Sequence, residues 1–187
     1  FTTSQCLLAP HRNQPMTKDD IEQRLKEALR AEHVVWLDHG NLVGDDTDGH
    51  IDTIVRTAPE NTLLYVGCDD SHDEQYEDFL ALEHQLMSLR TSTGMPYRLL
   101  RLPMPNAIYD EGERLPATYA NFLIINGAVI CPTYAQPAKD KQALQTIAQA
   151  YPDRETIGID ACTVIKQHGS LHCLTMQFPQ GVIANNP

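Results

Sequence analysis

Apolar runs and amphipathic stretches alternate along the chain, and the alternation recurs. A short apolar run, a turn, an amphipathic stretch and a second apolar run occur three times, opening at residues 3–8, 62–66 and 128–131, a period of roughly sixty residues. The first amphipathic stretch predicts a helix over 19–30. Thr17 and Asp20 form its capping pair, Ile21, Leu25, Ala28 and Leu29 share one face, and a strand over 34–37 follows. The second predicts a helix opening at Ser71, with Glu74 completing a capping box. It carries Tyr76, Phe79, Leu80, Leu82, Leu86 and Leu89 until Gly94 and Pro96 stop it, ahead of a strand over 97–102. The third predicts a helix over 139–150 with Ala143, Leu144, Ile147 and Ala148 inward, ended by Pro152 and followed by a strand over 156–159. Asn126-Gly127 between two apolar runs is the strongest hairpin signal in the chain. Residues 103–116, polar and Pro-rich, read as a long loop, either a lid or binding edge or a plain surface excursion. Strands and helices mixed in this order give an α/β fold.

Composition narrows the function. The 187 residues suit one core. With 14 basic and 25 acidic residues the net charge is −11, which repels nucleic-acid phosphates and suits a small cationic partner, although acidity also serves solubility. Five cysteines without regular spacing argue against a disulfide framework and for a reducing, cytoplasmic compartment; Cys6, Cys68 and Cys131 lie in apolar runs and read as inert core thiols, and Cys162 stays ambiguous. No apolar run is long enough to span a membrane. His11, His33, His39, His72, His84 and His168 are scattered with no His-x-x-x-His spacing among them and the cysteines lack Cys-x-x-Cys spacing, so no metal site is expected, and no phosphate-binding glycine loop is present. The chain opens on Phe1 and runs at once into Cys6-Leu7-Leu8, which reads as the interior of a fold, so a truncated N-terminus is expected.

Two segments carry candidate chemistry. Gly44-Asp45-Asp46-Thr47-Asp48-Gly49-His50-Ile51-Asp52 and Leu171-His172-Cys173-Leu174-Thr175 together supply a base, a carboxylate and a thiol, the parts of a nucleophilic cysteine site. In a strand, His50 and Asp52 would share one face while Ile51 and Ile54 anchor the backbone; a polar turn is the alternative. Cys173 follows Gly169-Ser170 at what reads as a strand end, with His172 then pointing to the opposite face in a structural role. A thiol buried among apolar groups is inert, so reactivity at Cys173 requires a nearby cation. Asp46 either touches a substrate or is an idle turn residue.

These two segments resemble the signatures of the agmatine deiminase family, the Porphyromonas-type branch of the guanidine-modifying enzymes, which carry a GDDTDGHID-like stretch and a C-terminal HCxT. The likeness continues in order through Cys6-Leu7-Leu8, Arg12-Asn13, Val35-Trp36-Leu37, Leu102-Pro103-Met104-Pro105, Thr118-Tyr119-Ala120-Asn121-Phe122 and Asn126-Gly127. The resemblance implies a pentein-type α/β-propeller, of whose five-unit ring this chain would supply about three ββαβ units. Residues 1–187 would be the C-terminal part of a single catalytic domain. The family's first-half aspartate, which grips the guanidinium, and its glycine-rich EGG segment have no counterpart here. By the same resemblance Cys173 is the nucleophile, His50 serves both proton transfers, Asp52 holds the guanidinium, and Asp46 and Asn121 join Asp52 in substrate binding. The implied reaction is cofactor-free hydrolysis of agmatine to N-carbamoylputrescine and ammonia, a step toward putrescine. A free-arginine or protein-arginine deiminase, or a catalytically silent subunit serving assembly, are the alternatives. The open edges of a partial ring lead us to expect self-association or pairing with the missing N-terminal half, and little turnover by this chain alone.

Overall fold

In the computed structural model, which describes residues 1–179, 181 and 182, the recurring pattern becomes two complete strand–strand–helix–strand units preceded by a reduced one. In the reduced unit β1 (Thr2–Thr3) ends sooner than the apolar run suggests. Thr3 caps a single helical turn, α1 (Ser4–Leu7), its Oγ1 accepting from the Cys6 N–H at 3.2 Å, so residues 4–7 turn rather than alternate. The next helix, α2 (Lys18–Leu29), opens on the expected capping box between Thr17 and Asp20. Ile21 is buried, whereas Ala28 and Leu29 are exposed, so the helix packs by its N-terminal part only. It leads to β2 (Trp36–Leu37), which pairs in parallel with β1.

The first complete unit has β3 (Val55–Ala58) antiparallel to β4 (Thr62–Gly67), then α3 (Tyr76–Ser88), then β5 (Arg98–Pro103) parallel to β4. Every residue of β4 is buried, with Phe79, Leu82 and Leu86 of α3 fully buried beside it. The capping box expected at Ser71 and Glu74 does not form. Asp73 accepts from the Gln75 N–H and pairs with Arg114 at 2.7 Å, Glu74 also pairs with Arg114, and the helix starts after this turn, at Tyr76. The segment expected as a loose loop over 103–116 contains a short hairpin, β6 (Tyr109–Asp110) and β7 (Glu113–Arg114), pinned by those ion pairs on the nearly buried Arg114.

The second complete unit repeats the order: β8 (Leu123–Ile125) and β9 (Ala128–Thr133) form the antiparallel hairpin across Asn126-Gly127, α4 (Pro137–Ala150) follows, and β10 (Glu155–Asp160) returns parallel to β9. Ala143, Ile147 and Ala150 face inward, while Ala148, expected inward, is exposed. The sheets stay open: β3-β4-β5 and β10-β9-β8 do not close into a barrel among the described residues. Tyr119, Phe122 and Tyr134 lie in the core, the rings of Tyr119 and Tyr134 meeting edge to face at 5.3 Å, and so fix the 118–122 segment on which the site is built. Among the described residues no helix is long and apolar enough to cross a membrane.

Candidate active site

Segments 44–54, 118–122 and 168–175 meet at one end of these units. The first is folded by its own side chains: Asp45 accepts from the Thr47 N–H and hydroxyl and from the Gly49 N–H at 3.0 Å, an arrangement that competes with strand pairing. Gly44 has φ +87° and sits so close to the Arg114 carbonyl oxygen that a Cβ there would lie 2.3 Å from it. His50 and Asp52, expected on one strand, instead stand at the start of a 3-10 turn (Ile51–Thr53), whose first carbonyl, that of His50, accepts from the Thr53 hydroxyl at 2.7 Å; the strand begins only at Val55. Thr118 ties this turn to the core by donating its hydroxyl to the Thr53 carbonyl at 2.6 Å.

Cys173 lies in a second 3-10 turn (His172–Leu174), not on a strand. Asn121, wholly buried, assembles it: Oδ1 accepts from the His172 N–H at 2.9 Å and the Cys173 N–H at 3.3 Å. On the other side Nδ2 reaches Asp52 Oδ2 at 3.0 Å and Cys173 Sγ at 3.3 Å. Asp52 Oδ2 also accepts from His172 Nδ1 at 2.6 Å and lies 3.8 Å from Cys173 Sγ. His172 was expected to point away from the thiol's face. In a 3-10 turn, successive side chains diverge by about 120° rather than the 180° of a strand, so both neighbours reach the same carboxylate. Further ties hold the segment: His168 Nδ1 bonds the Gly44 carbonyl at 2.8 Å, and the Ser170 and Tyr134 hydroxyls meet at 3.2 Å.

Desolvation pushes the Cys173 thiol above its ordinary value, the Ser170 backbone partly offsets this, and the charge of Asp52 adds to it. Burial also acts to raise Asp52, but its bond to His172, followed by the charges of His172, Arg56 and His50, outweighs it and holds the carboxyl below the usual range. Arg56 is itself lowered by burial; it donates to the carbonyls of Ala120 and Phe122 and lies over the Phe122 ring. The His50 Nε2 is 3.1 Å from Arg12 Nη2, and Arg12 is held by Asp48 at 3.0 Å and the Thr47 carbonyl at 3.0 Å. A guanidinium can only donate, so Nε2 accepts and a neutral His50 ring carries its proton on Nδ1.

The structure thus brings Asp52, Asn121 and Cys173 into contact, with His50 at the start of the Asp52 turn. Asn121, expected at the substrate, has its amide on Asp52, His172 and Cys173. Asp46 is exposed and makes no hydrogen bond among the described residues; Asp45 beside it shapes the loop. Sequence reasoning missed His172, Arg12 and Arg56. Two signals were available: Arg12 lies in the Arg12-Asn13 likeness, and His172 adjoins a candidate nucleophile, which the strand reading masked. A cleft of about 580 Å³ lies at the other, hairpin end of the units, beside Glu60, Arg98 and Arg154.

Residues 1–179 match the sequence pattern of a family described as Porphyromonas-type peptidyl-arginine deiminase. A protein of Marinomonas sp. (strain MWYL1), provisionally named agmatine deiminase, is 35% identical over an alignment covering 96% of this chain and 53% of that protein. Among solved structures, a provisionally named arginine deiminase from Porphyromonas gingivalis superposes with a TM-score of 0.93 at 53% identity, covering 96% of this chain and 52% of that one. The C. jejuni agmatine deiminase, a cysteine-to-serine variant with substrate bound, gives a TM-score of 0.84 at 39% identity over 91% of this chain and 49% of that one. The chain therefore spans about half the length of the relatives it matches.

Proposed function

The chain belongs to the Porphyromonas-type peptidyl-arginine deiminase family, and from that premise we propose that it supplies the nucleophile, base and one carboxylate of a hydrolase acting on the guanidine group of agmatine. The observation that carries this reading is the Cys173 sulfur held by Asn121 at 3.3 Å, beside the ionised Asp52 at 3.8 Å. The raised thiol stays protonated until a cation arrives, and a guanidinium lying against Asp52 is such a cation. Asp52 Oδ2 is occupied by His172 and Asn121, so Oδ1, which has no protein partner among the described residues, is the oxygen left to accept a guanidinium N–H.

Once Nε2 of His50 is released from Arg12 it takes the thiol proton, and Sγ adds to the guanidinium carbon. His50 returns that proton to an amino nitrogen, whose C–N bond breaks to release ammonia and leave an S-alkylthiouronium. Water then gives a proton to His50 as its oxygen adds to the same carbon, the C–S bond breaks to return the thiolate, and the remaining hydroxyl proton passes to solvent as the carbonyl forms. Agmatine and water thereby become N-carbamoylputrescine and ammonia.

The same reading places residues 1–187 in the C-terminal half of a pentein-type ring, in a cytoplasmic protein whose five cysteines are all free. The opposing clamp on the guanidinium would come from the half that the relatives possess in addition. Pairing with that half is supported by exposed Ile157 and Ile159 on β10. The second reading, an enzyme of free or peptidyl arginine, draws on the family description and on the P. gingivalis neighbour's name.

Ammonia release from agmatine, arginine and a peptidyl-arginine, measured on the chain joined with such a half, separates the readings. Agmatine should be fastest, and Cys173→Ala should abolish release from all three. Faster release from a peptidyl-arginine would favour the second reading, and near-normal release by the Ala variant would exclude the covalent route.

A further inference from the structure

We infer that His172 is a positioning residue for the guanidine reaction, acting through the orientation of the Asp52 carboxylate; the inference rests on the reading of the site proposed above. A carboxylate on a short side chain rotates about its terminal torsion, a broad two-fold well, unless donors fix it. Here the imidazole of His172 and the amide of Asn121 converge on one oxygen, Oδ2, at 2.6 and 3.0 Å, from two different segments of chain. Two donors on one oxygen set the plane of the carboxylate and leave the other oxygen for the substrate.

His172 is held as firmly as it holds. Its N–H donates to Asn121 Oδ1, and the side chains of His172 and Asp52 are 28% and 17% exposed, so the contact is partly shielded from water. It also directly precedes the nucleophile. One imidazole thus couples the turn that presents the thiol to the turn that presents the carboxylate, and the spacing between sulfur and anion depends on it. Asn121 gives this oxygen one N–H of its amide while the other faces Cys173 Sγ, so without His172 a single donor would hold the carboxylate.

The test uses the chain itself and two electrophiles of nearly the same shape, 2-chloroacetamidine, a planar cation, and neutral 2-chloroacetamide. Alkylation of Cys173 by each is followed by peptide mass spectrometry, and the ratio of rates reads the recruitment of a cation by Asp52. The wild-type chain should prefer the amidine, and Asp52→Asn should set the floor of the ratio. His172→Ala should lower the ratio about tenfold, the loss of one hydrogen bond to a charged group. His172→Asn, whose amide nitrogen falls near the place of Nδ1, should keep most of the preference, whereas His172→Gln, whose nitrogen falls near Nε2, should lose it. If the Ala variant does not fold by circular dichroism, the Asn and Gln pair decides.

A wild-type ratio in the Gln variant, or an Asn variant as poor as the Gln variant, would overturn the role of His172 while leaving the guanidinium site intact. A wild-type chain with no more preference than Asp52→Asn would instead sink the guanidinium reading, and the role of His172 with it.

Discussion

Strands β5 and β10 hold equivalent places in the two complete units, each the last strand and each parallel to its unit's buried strand, yet they meet different surroundings. β5 is packed on by α4, the helix of the following unit, and Leu102 and Pro103 at its end are buried. On β10 all residues but Thr156 are exposed, Ile157 by 36% and Ile159 by 45%. One unit thus leans on the next: β5 is finished by the helix of the following unit, and β10 has no such helix among the described residues. An apolar strand in that position is the face expected where further units join.

Core truncations should break the comparison most sharply. Leu102→Ala in β5 or Leu64→Ala in β4 should cost about 2–5 kcal/mol in urea unfolding, since each removes a wholly buried side chain. Ile159→Ala in β10 should change the chain's own stability by less than about 0.5 kcal/mol. A large loss at Ile159 would mean that β10 is already covered. Ile159→Lys sharpens the point, because it should leave the melting transition of the chain in place while weakening its self-association or its capture of a complementary half, read by analytical ultracentrifugation.

Smaller effects separate the site from the scaffold. Because burial and Asp52 raise the Cys173 thiol, its reaction with iodoacetamide should show a midpoint above the ordinary thiol value of about 8.5, and Asp52→Asn should move that midpoint down. Agmatine at saturating concentration should also move it down; no movement would disconnect the thiol from a cation site. Asp52 is held below its unfolded value, so its contribution to stability is fully present above about pH 4 and is lost as pH falls through the lower folded value. Asp52→Asn should therefore flatten the acid limb of the stability curve. An unchanged limb would show that the His172 contact does not hold the carboxylate ionised.

The scaffold was legible in the sequence where the signal is local. The capping box at Thr17 and Asp20, the Asn126-Gly127 hairpin and the helix ending at Ala150 all rest on residues within a turn or two of each other. What escaped depends on distant partners. The start of α3 shifts because Asp73 and Glu74 bind Arg114, and Gly44 is required by a carbonyl far along the chain. His50, Asp52 and Cys173 could be singled out as residue types, but their conformation could not. Alternation of His50, Ile51 and Asp52 suggests a strand, whereas the Asp45 side chain bonds and the Asn121 clamp make turns of both segments. His172 became visible only with the turn, since one step of a 3-10 turn and one step of a strand aim it in different directions.

Ammonia release from agmatine should be measured for the chain with and without a polypeptide carrying the other half of its relatives' length. Either part alone should release little, the mixture should release ammonia, and none should appear when the chain carries Cys173→Ala. Full release from the chain alone would rule out the need for a second half, and release from the mixture that survives Cys173→Ala would rule out Cys173 as the nucleophile.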